Sequence, residues 1–342
     1  MELLQETYIG KTSILQQMED ILGSLRKKYS YEWAHSTNYI LPKINRDALL
    51  VTLGDYIKEQ FGFGTVIITV VNDTKLRAST LGFLSTKEGI AYTNDLDDIS
   101  LKNAIMITSE GPKFDTKKFS PEILVILSTG ILFTTSISTG GIVAALLHEI
   151  GHSFSKGILG SQEFDRRIEE KYADSFAVMY GYGAELNSVL SKVSTYNLQR
   201  DLHFLRKTPI INVFAGLKDI SVSLFNRITA DVPHTSLIKR MNDTISQLEY
   251  ELSKADITPQ QRQDLLRDIQ RAKQITAAYC NDSPSLGDKV YKMYLSNIEP
   301  NLPKERRIDT HADKFGSAQT IESMYNKMYE SQKGYFKTYQ KK

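Results

Sequence analysis

In Gly141-Ile-Val-Ala-Ala-Leu-Leu-His148-Glu149-Ile150-Gly151-His152 two histidines stand four residues apart within a stretch of helical periodicity. Val143, Leu147, Ile150 and Phe154 recur at helical spacing and form one apolar stripe. Positions i and i+4 of a helix project from one face, so the two imidazoles can share one tetrahedral ion. Glu149 follows the first histidine and can reach a water at that ion without being a ligand. Composition alone produces such a pattern roughly 0.006 times in a chain of this length. A catalytic zinc needs three protein ligands and one open position. Glu170 supplies the third on the next helical stretch, where Phe164, Ile168, Tyr172, Phe176 and Met179 form the apolar stripe. Glu169 competes for that place. Glu170 is preferred because it shares a face with Ala173, Asp174 and Ala177, whose small side chains permit close helix approach. Asp174 can accept a ring N–H from a ligating histidine and orient it.

The spacing is the HExxH arrangement of zinc peptidases. With Glu170-Lys-Tyr-Ala-Asp174-Ser-Phe-Ala177 behind it, the segment resembles the gluzincin metallopeptidases of the CAAX-prenyl-protease and HtpX-like family. Their pattern is HExxH followed by ExxAD on the next core helix. The likeness covers roughly residues 120–245. It implies a zincin-like core in an α+β fold, with Zn2+ held by His148, His152 and Glu170 and with Glu149 as general base. A third family element is a His followed six residues later by Arg. His234 and Arg240 in Pro233-His-Thr-Ser-Leu-Ile-Lys-Arg240 fit that spacing, with the proline before the histidine instead of after it. The resemblance implies that His234 helps to stabilise the oxyanion as a catalytic residue and that Arg240 supports the ligands from behind. Arg306-Arg-Ile-Asp309-Thr-His311-Ala-Asp313 echoes the Glu170 segment without a second HExxH. It reads chiefly as a helix of similar packing, with Asp309 or Asp313 as an alternative contributor to the site.

Outward from this core, the N-terminal region is helical. Residues 12–28 carry Ile14, Met18, Ile21, Leu22 and Leu25 at helical spacing, with Ser13 and Gln16 as a capping pair. A second helix is expected from Asn45, as N-cap, to Phe61, with Gly62 as its stop. Thr65–Val71 is β-branched and reads as a strand, as does Ala104–Thr108. Ile123–Leu127 and Ile131–Thr135 read as two more, joined by a hairpin turn at Ser128-Thr129-Gly130. The strand before the active helix, Ile131–Thr135, would offer an edge to an extended peptide. Ser155–Gly160 reads as a loop and Ser161 as the cap of the Glu170 helix. Residues 235–280 read as a helical hairpin, its second arm opened by Thr258-Pro259-Gln260-Gln261. The division expected is an N-terminal helical region over 1–62, a metallopeptidase domain over 63–245 and a C-terminal helical extension over 246–342.

The 342 residues include 42 basic and 40 acidic side chains, a net charge of +2. No global field favours nucleic acid or an anionic membrane. The single cysteine, Cys280, excludes an internal disulfide framework. Met1–Gly10 has no apolar run and does not read as a secretory signal. The charge-free stretch Ile123–Leu147 is long enough to span a bilayer, but its glycines, serines and threonines favour a buried reading. The expected place is therefore the cytoplasm. Soluble domains similar to this one occur on large tailed-phage proteins, which would mean the host cytoplasm or the virion. The activity expected is a zinc-dependent endopeptidase acting on a polypeptide substrate, with no nucleic-acid or membrane partner. The alternative is a structural or assembly component, for instance of a phage particle. It would carry a vestigial or self-processing metallopeptidase domain and meet its assembly partner through the N- and C-terminal extensions.

Overall fold

The buried stripe of the HExxH segment becomes one wall of the core. In the computed structural model, which describes residues 8–35, 37–73, 76–86, 89–92, 104–116, 120–159, 166–192 and 237–281, the chain is α+β and mostly helical. Helices α1 (Ser13–His35), α2 (Thr37–Ile44) and α3 (Ala48–Phe61) precede six strands. These are β1 (Thr65–Val71), β2 (Ala78–Thr86), β3 (Gly89–Tyr92), β4 (Ile105–Thr108), β5 (Gly111–Phe114) and β6 (Ser120–Ser128). There follow α4 (Thr129–Phe133), α5 (Thr139–Leu159), α6 (Arg166–Met179), a helical run α7 over 183–192, α8 (Leu237–Ser253) and α9 (Pro259–Asn281).

The main sheet has the order β1-β6-β2-β3. β6 runs parallel to β1 and antiparallel to β2, with Val125 opposite Ile68 and Thr80. Alternate residues of β6, Ile123, Val125 and Leu127, are buried. β4 and β5 form a separate antiparallel pair.

Four local expectations are corrected. Ile131–Thr135 is not a strand. Ser128 ends β6 and caps α4, its Oγ accepting from Ile131 N at 3.0 Å. Both sides of β6 are already paired, so no neighbouring slot is open, and a short apolar run does not by its period distinguish strand from helix. The strand ahead of the active helix is thus interior, and among the described residues the sheet's edges are β1 and β3. Asp47, not Asn45, caps α3, accepting from Leu49 N at 2.9 Å. Asn45 instead ties off β1, donating to Val70 O and accepting from Val70 N. The cap of α1 is Thr12, whose Oγ1 accepts from Leu15 N, and the helix extends to His35. Residues 155–159 continue α5 instead of forming a loop; Ser161 and Phe164 lie outside the described residues. Gly62 does end α3, in the left-handed conformation at φ 71°.

One apolar core joins α1, α2, α3, the sheet and α4–α7. Phe154 of α5 stacks on Phe114 and Phe176 at centroid distances of 4.5 and 5.6 Å. The hairpin of α8 and α9 forms as expected, with reciprocal capping bonds between Thr258 and Gln261, and α8 runs unbroken across position 245. A second, smaller core seats it: Ile245, Leu248, Leu265, Ile269 and Ala272 pack with Val178, Ala184 and Tyr8. The segment around Tyr8 is stitched to both sides. Ile9 and Gly10 donate to Met179 O, and Gln261 Nε2 donates to Tyr8 O at 3.1 Å. No helix among the described residues is long and apolar enough to cross a membrane.

Candidate metal centre

The approach of α6 to α5 is set at Gly151, inside the HExxH segment. A Cβ there would meet Phe176 Cβ at 2.9 Å and Ala173 Cα at 3.1 Å. Glycine at 151 and alanine at 173 therefore let the helices close, and closure carries Glu170 to the two histidines. Glu170 Oε2 lies 3.5 Å from His148 Nε2, and Oε1 lies 3.7 Å from His152 Nε2. The two Nε2 atoms are 3.3 Å apart, with the ring planes at 87°. A tetrahedral ion held at about 2.1 Å separates its ligands by about 3.4 Å. The three side chains thus present two imidazole nitrogens and a carboxylate at the spacing such an ion needs, and they form a group able to hold a metal ion. The donor set, two borderline nitrogens and one oxygen, is chemically consistent with a divalent transition metal or zinc.

Supporting groups stand behind each ligand. His148 Nδ1 is 2.9 Å from Asp174 Oδ1. Arg240, from α8, grips Asp174 with two bonds, Nε to Oδ2 at 2.8 Å and Nη2 to Oδ1 at 2.7 Å, and its Nη2 is 3.6 Å from Glu170 Oε2. Burial favours the neutral form of Asp174, but the Arg240 guanidinium and His148 outweigh it and hold the carboxyl well below the usual range. His152 Nδ1 is 3.0 Å from Glu169 Oε1. Burial disfavours the charged His152 ring, yet Glu169, Glu170 and Glu149 together raise its pKa. Glu169, the competing ligand, therefore lies against the outer nitrogen of the ring and not with the converging atoms. Burial raises the Glu149 carboxyl and Glu170 adds to that rise, opposed by both histidines and the Thr80 backbone N–H. Thr80 also donates its Oγ1 to Glu149 O at 2.8 Å, fixing β2 to α5 at this point.

Of the residues expected at the site, His148, Glu149, His152, Glu170, Asp174 and Arg240 come together. His234, Asp309 and Asp313 lie outside the described residues. Thr80 was not anticipated: Ala78–Thr86 mixes Ser, Thr and Gly with apolar residues and shows no clean alternation. Compared with known proteins, the chain matches no family model, no curated protein and no solved structure.

Proposed function

We propose that this protein is a zinc-dependent endopeptidase of the gluzincin type, in line with the family resemblance of its motifs. The observation that carries the reading is the convergence of His148, His152 and Glu170 with the part-buried Glu149 carboxyl beside them. His148, His152 and Glu170 would hold the zinc, which when bound supplies an acidified water and a polarised carbonyl. Glu149 takes a proton from the attacking water and delivers it to the leaving amine. Its burial serves this role, because a carboxyl whose pKa is raised accepts a proton more readily near neutral pH. Asp174, clamped by Arg240, keeps the His148 ring in place. His234 is assigned to the developing oxyanion on the resemblance alone. An extended polypeptide substrate would pair with a sheet edge, and of the two edges β3 adjoins β2, the strand bonded to Glu149.

The test is zinc content and peptide cleavage measured on three proteins. The parent should carry about one zinc per chain, as a single three-ligand site requires. Glu170→Ala should lose or weaken it, and Glu149→Gln should keep the zinc and lose turnover. A Glu149→Gln protein that cleaves as fast as the parent removes the general-base assignment.

A further inference from the structure

The two histidines turn Nε2 toward each other and Glu170, and Nδ1 outward onto unlike supports. Behind His148 stands Asp174, held by Nε and Nη2 of Arg240. Behind His152 stands Glu169 in the first turn of α6, with 17% of its side chain exposed against 8% for Asp174. A carboxylate can only accept, so the His152 nitrogen 3.0 Å from Glu169 carries the hydrogen. An imidazole that ligates a metal is neutral and has one such hydrogen, which leaves Nε2 with its lone pair toward His148 and Glu170.

The alternative tautomer has a ready partner. With the hydrogen on Nε2, His152 would donate across 3.3 Å to His148 Nε2, and the two rings would bond to each other. That arrangement uses both inward nitrogens and leaves neither for an ion. Asp174 restrains only His148, so the choice at His152 falls to Glu169.

We propose that Glu169 is the positioning residue for His152: it accepts the Nδ1 hydrogen, keeps Nε2 open toward the ion and prevents the ring-to-ring bond. The assignment rests on the metal-centre reading above and adds to it a determinant outside the HExxH and ExxAD patterns. It gives Glu169 the work of a support, not of a ligand.

The test is zinc affinity by chelator competition at fixed pH for the parent, Glu169→Ala and Glu169→Gln. Long-range proton–nitrogen spectra of the histidine rings are recorded alongside. Glu169→Ala should bind zinc about 10- to 100-fold more weakly, the usual cost of losing such a support. Glu169→Gln, whose amide oxygen still accepts the hydrogen, should recover most of that loss. In the ion-free alanine variant the His152 signals should move toward the Nε2–H form. Affinity in Glu169→Ala within twofold of the parent overturns the assignment. So does a glutamine variant as weak as the alanine one, since charge and not tautomer would then be the cause. A parent that binds no zinc overturns the metal-centre reading itself, which separates the two failures.

Discussion

Two groups of carboxylates are buried between helices, and they are compensated differently. At the metal centre Asp174 receives two guanidinium bonds from Arg240 and remains ionised, with Glu170 within reach of the same cation. At the foot of the C-terminal hairpin, Glu185 of α7 and Asp268 of α9 are both buried. There Lys11 and Arg271 reach the same oxygen of Glu185, at 3.2 and 2.9 Å. Burial, and then the Glu185 charge, push the Asp268 carboxyl up to about 7, against the pull of Lys11, Arg271 and Arg267. Tyr8, Tyr182, Glu19 and Asp264 complete the charged and titratable surroundings. The comparison teaches that the direction in which a buried acid titrates depends on where the cation's donors land. A bidentate cation fixes the charge, whereas a carboxylate that takes both cations on its own oxygen leaves the neighbouring acid to hold its proton to higher pH.

Three variants break or sharpen this contrast. The largest effect is expected from Arg240→Leu, which strands Asp174 and Glu170 without their cation. Removing one partner from such a buried pair costs about 3–5 kcal/mol, readable as a lower urea midpoint at pH 7, and zinc retention should fall with it. A midpoint unchanged from the parent removes the clamp. Next comes Asp268→Asn. A carboxyl whose pKa is higher folded than unfolded stabilises most below its unfolded value, and that contribution is lost as pH rises through about 7. The asparagine variant lacks this loss, so at pH 8 it should exceed the parent by on the order of 2 kcal/mol, with the difference closing toward pH 4. Equal pH profiles for the two proteins would remove the raised Asp268 carboxyl. The smallest effect is Lys11→Met. Lys11 is part-exposed, so about 0.5–1 kcal/mol is expected. The loss should be larger at pH 8 than at pH 5, because Lys11 offsets the Asp268 charge only once that charge is present.

Much of the site was legible because its chemistry is local. His148 and His152 are one helical turn apart whatever the rest of the chain does, and the small residues on the Glu170 face made that carboxylate the better candidate. What escaped the sequence depends on packing between distant elements. Asp174 and Arg240 were each assigned a supporting place, but the bond between them joins residues 66 apart in the chain. Thr80 lies on a strand whose residues alternate poorly. Ile131–Thr135 reads as a strand because a buried apolar run fits strand and helix alike, and the signal that separates them is the Ser128 cap. Asn45 and Asp47 both suit a helix start, and only the tertiary demand of β1 for a partner at Val70 separates them.

The stitching around Tyr8 joins the first described residues to the C-terminal hairpin that presents Arg240. Trimming the chain past Ile9 would therefore expose the apolar seam at Val178, Leu265 and Ile269 and slacken the seat of the hairpin. Affinity handles and fusion partners are better placed ahead of that segment than substituted for it.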